Sequence, residues 1–300
     1  MASKFGIIGL GSMGYGIAQS VLRAGHQTFG YDVMSAQQKR FINEGGSEGT
    51  LQDLLPTLDG VMVVVLNAAQ TEDVLFGSNG IASQMKAGSV IISCATVPPK
   101  FAVQAEERCT KFGIHYLDAP ISGGATKAAE GKLSIMASGS QPAFETAKPL
   151  LDATAETVFE LGDKSGAGSA MKAVNQMLAG THIAMMAEAM TFGMTQGIGP
   201  DKFLEVISKC AGTSWMLENR APHIIDGDYT PRSSVDIWPK DLGIVLDIAE
   251  SVQFKAPITS AALQQFLTAS EQGLGKEDDA AVAKVYASNS NLTLPRSNSE

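Results

Sequence analysis

Cysteine is scarce in this chain. It has three in 300 residues, Cys94, Cys109 and Cys210, scattered and with no Cys-x-x-Cys pair. Such a set builds neither a disulfide framework nor a thiolate zinc site, and it fits a reducing compartment. Histidine is almost as sparse. His26, His115, His182 and His223 form no His-x-x-x-His or similar cluster, so no protein-bound metal is expected. Positive charge is in deficit as well. A formal net charge of −9 lacks the basic footprint that nucleic-acid phosphates require, and no nucleic-acid partner is expected. Long apolar runs are missing too. The longest low-charge stretch, Ser165 to Ala187, is interrupted by Lys172, Asn175, Gln176 and His182, so no membrane span is expected. The opening Met-Ala-Ser-Lys runs straight into an apolar strand with no secretory-type leader, and a cytoplasmic location is expected.

What is present suits a globular protein with large cores: 44% hydrophobic and 18% charged residues, in a length that allows two domains. The first half alternates β-rich runs with amphipathic stretches. Lys4–Ile8, Thr28–Tyr31, Val61–Leu66, Val90–Ser93, His115–Leu117, Ser134–Ala137 and Thr157–Leu161 read as strands. Tyr15–Ala24 and Pro99–Phe112 read as helices between them. Such alternation predicts an α/β fold with a Rossmann-type, doubly wound parallel sheet. From Gly166 onward no strand pattern remains. The Ala- and Met-rich run Ser165–Gln196 ends at Gly197, and Pro200, Pro239 and Pro257 each stand where the first residue of a helix would. An acidic Glu277-Asp278-Asp279 opens a last helix. The expected domains are a dinucleotide-binding residues 1–164 and an all-helical substrate and dimerisation domain, 165–300.

Three motifs carry chemistry. Gly9-Leu10-Gly11-Ser12-Met13-Gly14 is a GxGxxG that follows a strand and opens a helix. Its first glycine makes the turn, the second lets backbone approach a pyrophosphate, and the third allows close helix–strand packing. Asp32 closes the next strand, where a carboxylate accepts ribose hydroxyls and repels a 2′-phosphate. With no arginine in Val33-Met34-Ser35, the cofactor is expected to be NAD.

The second motif is Lys172, the only charged residue between Lys164 and Glu188. Asn175 and Gln176 share its helix face. It reads equally as a snorkelling lysine at a domain boundary or as a general base with a pKa lowered by burial beside a cationic ring. The third is Asp118-Ala119-Pro120-Ile121-Ser122-Gly123-Gly124, which reads either as a simple turn or as a nest of backbone N–H groups for a carboxylate.

Together these residues resemble the β-hydroxyacid dehydrogenase family, which includes 3-hydroxyisobutyrate dehydrogenase and tartronate semialdehyde reductase. The resemblance runs from Phe5 to Tyr286 and also takes in Gly166–Asn175 and Lys240-Asp241-Leu242. It implies that Lys172 is catalytic, that Ser122, Gly123 and Gly124 hold a substrate carboxylate, and that Asn175 and Gln176 orient the substrate. Leu66, Asn67, Thr96 and Lys240 would join the glycine loop in contacting the cofactor. Narrower likenesses, among them Leu66–Thr71, Ser214–Arg220 and Gly275–Asp279, point to a subgroup that oxidises a four-carbon sugar acid at C2 with NAD. The alternatives are 3-hydroxyisobutyrate oxidation, reduction of tartronate or succinic semialdehyde, and a dinucleotide-binding module without catalysis. Trp238-Pro239 departs from the family pattern. The resemblance also implies that the long helix from Ser165 packs on a second subunit, as a homodimer or homotetramer.

Overall fold

A computed structural model describes residues 3–297, and the chain divides between Lys172 and Ala173 into two compact units. In the first unit the strands are β1 Lys4–Ile8, β2 Gln27–Tyr31, β3 Gly60–Val63, β4 Val90–Ser93, β5 His115–Asp118, β6 Ile121–Ser122, β7 Leu133–Ala137 and β8 Ala155–Glu160. The helices that connect them are α1 Gly14–Arg23, α2 Ser35–Asn43, α3 Leu51–Leu54, α4 Ala68–Phe76, α5 Pro99–Thr110, α6 Gly124–Glu130 and α7 Gln141–Thr154. Helix α8, Ala167–Thr195, is continuous across the division of the chain. The second unit continues with α9 Pro200–Ile207, α10 Trp215–Asp226, α11 Ile237–Ser251, α12 Pro257–Ala269 and α13 Ala283–Asn289.

Five strands form a fully parallel sheet in the order β2-β1-β3-β4-β5. Every residue of β3 and β4 is buried, as expected where helices cover both faces. One core layer gathers Phe5, Ile7, Ile17, Met62 and Ile92, and the other gathers Val61, Val63, Ile91 and Tyr116. Because β1 lies between β2 and β3, the chain reverses direction across the sheet at β1/β3. That switch opens a crevice at the carboxyl ends of the strands.

The last strands differ from the single sheet expected. β6, β7 and β8 form a separate three-stranded sheet, with β6 antiparallel and β8 parallel to β7. β6 is only two residues long, too short to show a period in the sequence. The strand expected at Val61–Leu66 ends at Val63; Val64 N–H still donates to Ile8 O at 2.8 Å, and by Leu66 the N–H has turned to Gln70 Oε1 at 2.9 Å.

The second unit has its own core, with Trp238 at its centre. The Trp238 indole stacks on Phe266 at 5.6 Å, abuts Gly180 of α8, and donates from Nε1 to Asp279 Oδ2 at 3.0 Å. Buried Asp279 also pairs with the partly exposed Arg220. The unusual Trp238 is therefore a core anchor of this unit. Pro239 falls in the third position of α11 and not the first, which is tolerated because first-turn N–H groups have no partner within the helix.

Candidate active site

The glycine loop lies between β1 and α1. Gly9 has φ +94°, a conformation that excludes most side chains, and its N–H donates to Tyr31 O at 2.8 Å. A methyl at Gly14 would collide with the Gly9 carbonyl oxygen, while one at Gly11 would meet nothing within 4 Å. The first and third glycines thus lock the turn, and the second leaves open space above the backbone, as a pyrophosphate requires. Gly14→Ala is expected to destabilise the protein by about 1–3 kcal/mol through overpacking. A thermal unfolding curve unchanged from wild type would contradict it.

Asp32 stands beyond β2 and ties the same loop together. Its Oδ2 accepts from Leu10 N–H at 2.7 Å and its Oδ1 from Met34 N–H at 2.8 Å. A carboxylate has about four acceptor positions, so each oxygen keeps one for a ribose hydroxyl. Leu66 is exposed beyond β3, and Thr96 is half-buried beyond β4. Asn67 caps α4, with Oδ1 accepting from Gln70 N–H at 2.9 Å. All of these lie at the carboxyl ends of adjacent parallel strands. The residues present fit a dinucleotide.

Two further signals meet within the first unit. Lys172 is buried, and its Nζ donates to Ile121 O at 2.8 Å. Ile121 directly precedes Ser122, Gly123 and Gly124. Gly123 (φ +135°) and Gly124 (φ +77°) are consecutive positive-φ residues, a backbone that glycine adopts without strain. Asp118, at the head of the same motif, is buried and accepts from Ser169 Oγ at 2.6 Å, Ser169 N–H at 2.9 Å and Gly166 N–H at 2.9 Å. Burial pushes its carboxyl pKa up, and those bonds pull it part of the way back. Cys94, close to Asp118, has its thiol pushed far up by burial and stays protonated.

In the second unit one carboxylate links three of the expected residues. Asp241 is buried, pairs with Lys240 Nζ at 2.6 Å through Oδ1, and accepts from Gln176 Nε2 at 2.5 Å through Oδ2. Gln176 Oε1 in turn accepts from Asn175 Nδ2 at 2.9 Å. Both ends of the Gln176 amide are therefore engaged. Sequence reasoning missed Asp241 and Asp118, although both stood inside quoted motifs. Two other polar groups of the second unit have local partners: Asp236 accepts from Ser270 Oγ at 2.8 Å, and Asn219 accepts from Arg220. The described residues contain no cluster suited to a metal ion, and no helix among them is long and apolar enough to cross a membrane.

Residues 4–162 match the family described as the NAD binding domain of 6-phosphogluconate dehydrogenase. Residues 166–286 match that described as NAD-binding of NADP-dependent 3-hydroxyisobutyrate dehydrogenase. Matches of this kind on this fold make the chain a nucleotide-dependent dehydrogenase. L-threonate dehydrogenase of Cupriavidus necator is 48% identical over 95% of this chain and 97% of that protein. The Escherichia coli K12 protein of the same name is 45% identical over 97% and 96%. A crystal structure described as 3-hydroxyisobutyrate dehydrogenase from Salmonella typhimurium superimposes with a TM-score of 0.89 at 46% identity, covering 94% of this chain and 99% of that one. The chain belongs to the β-hydroxyacid dehydrogenase family.

Proposed function

We propose that this dehydrogenase oxidises L-threonate at C2 to 2-oxo-tetronate with NAD, using Lys172 as the general base. The observation that carries the reading is the Lys172 Nζ to Ile121 O bond, which sets the amine beside Ser122–Gly124. In this reading Ser122 Oγ and the N–H groups of Gly123 and Gly124 hold the substrate carboxylate. As the base, the Lys172 amine, which donates to Ile121 O, takes the proton of the substrate hydroxyl. When bound, the dinucleotide supplies the hydride acceptor. Asn175 orients the substrate, and Gln176 and Asp241 orient Asn175. Leu66, Asn67, Thr96 and Lys240 complete the cofactor contacts, with residues 1–164 as the cofactor domain and 165–300 as the substrate and dimerisation domain. Exposed Val174, Leu178, Met185 and Phe192 on α8 support a homodimer or homotetramer.

The substrate assignment is supported by the names of the relatives at 43–48% identity. The name of the Salmonella structure favours 3-hydroxyisobutyrate as the second reading. Oxidation at C2 is tested with L-threonate deuterated there. The label is expected in the reduced cofactor, and unlabelled NADH would overturn the regiochemistry.

Asp32 supports NAD over NADP. Val33 is fully exposed, so an arginine there has room to reach a 2′-phosphate. The pair Asp32→Ala and Val33→Arg is expected to move the NADP/NAD ratio of kcat/KM upward by roughly 10–100-fold, the value of one or two charge-assisted hydrogen bonds. A wild type that already uses both cofactors equally would contradict this reading.

A further inference from the structure

The carboxylate of Asp118 contacts the segment that opens α8, and the α8 residue three positions past Ser169 is Lys172. We infer that Asp118 is a positioning residue: it clamps the first turn of α8 to the end of β5 and so holds the Lys172 amine beside Ser122–Gly124. The inference rests on the reading of Lys172 as the base.

The clamp has two points, and both come from one short piece of chain. At the first, Asp118 takes the backbone N–H groups of Gly166 and Ser169 and the hydroxyl of Ser169. Ser138 extends this point, donating to Asp118 Oδ2 at 3.3 Å while accepting from Gly168 N–H at 2.9 Å. At the second point, three residues further along, Ile121 O accepts from Lys172 Nζ. The approach is close: a methyl on Gly168 would lie 2.7 Å from Asp118 O and 3.2 Å from its Oδ2. Burying a carboxylate is costly, and a cap that served stability alone could be made by a neutral serine or asparagine. Here the carboxylate satisfies three donors of the turn that leads to Lys172, and it complements the positive end of the helix. Displacing a reacting group by about 1 Å can cost on the order of a hundredfold in rate.

The test compares wild type, Asp118→Asn, Ser169→Ala and Lys172→Ala as full chains saturated with NAD, using L-threonate and its C2-deuterated form. A second readout is the rate at which acetic anhydride labels Lys172, followed by peptide mass spectrometry against the exposed Lys148 as reference. For Asp118→Asn the expected results are a kcat about a hundredfold lower, a larger primary isotope effect, an unchanged KM for NAD, and Lys172 labelling several-fold faster. Ser169→Ala should shift rate and labelling in the same directions by less, and it carries the test if Asp118→Asn does not fold. A fall in melting temperature alone, with kcat per folded site, isotope effect and Lys172 labelling unchanged in both variants, would overturn the inference. If Lys172→Ala stayed active while Asp118→Asn still freed Lys172 for labelling, the base assignment would fail and the clamp would stand.

Discussion

Replacing Lys172 with alanine is expected to lower kcat by roughly a hundred- to ten-thousand-fold and to leave NAD affinity nearly unchanged. The first expectation is the usual value of a positioned acid–base group, about 3–5 kcal/mol of barrier. The second follows from the fold. The residues that fit the cofactor, Gly9–Gly14 and Asp32, belong to the loops after β1 and β2, where Asp32 accepts from Leu10 N–H and Gly9 donates to Tyr31 O. Truncation leaves Ile121 O without the Lys172 donor, a loss that water can repair. Lys172→Arg separates charge from basicity. It keeps a cation at the position but cannot give up a proton near neutral pH, so it should be as inactive as the alanine variant. Single-turnover hydride transfer and NADH fluorescence titration measure the two quantities separately. A variant with more than about a tenth of wild-type kcat would remove Lys172 from the role of base.

Much of the first unit was legible because its signals are local. Lys4–Ile8 and Val90–Ser93 were read with their observed bounds, since continuous apolar runs between helices leave little choice. The glycine loop was legible because each glycine meets a separate steric demand, and two of those demands appear here as collisions that a methyl would cause. The split into two sheets was not. Whether β5 continues into β7 or hands over to a two-residue strand depends on pairing partners, which a period of two does not encode. Helix α10 was also missed as a helix: Pro222 in its interior breaks the pattern that would announce it, although Ser214 caps it by accepting from Leu217 N–H.

The site divides in the same way. Lys172 stood out as a lone charge in a small-residue helix, and its burial is what a functional reading requires. Its partner did not stand out, because a backbone carbonyl has no sequence signature. Gln176, which the resemblance made a substrate ligand, donates to Asp241 and accepts from Asn175, contacts no sequence pattern announces. Asp118 and Asp241 were visible only as letters within motifs. Their importance comes from burial and from the number of donors each satisfies, which are properties of the folded chain.

The proposed substrate is a four-carbon sugar acid. Hydroxyls on the substrate need partners. In the proposed function one such partner is Asn175, whose Nδ2 donates to Gln176 Oε1 at 2.9 Å. A site arranged to bond hydroxyls discriminates against an analogue that lacks them, because its polar groups are then left unpaired. An enzyme for 3-hydroxyisobutyrate would instead favour an apolar wall for the methyl branch. The decisive measurement is kcat/KM with NAD for L-threonate, D-threonate, D-erythronate and 3-hydroxyisobutyrate, side by side on one preparation. L-threonate is expected to lead, exceeding 3-hydroxyisobutyrate by roughly a hundredfold or more. A preference for the branched acid, or no activity on any of the tetronates, would contradict the assignment.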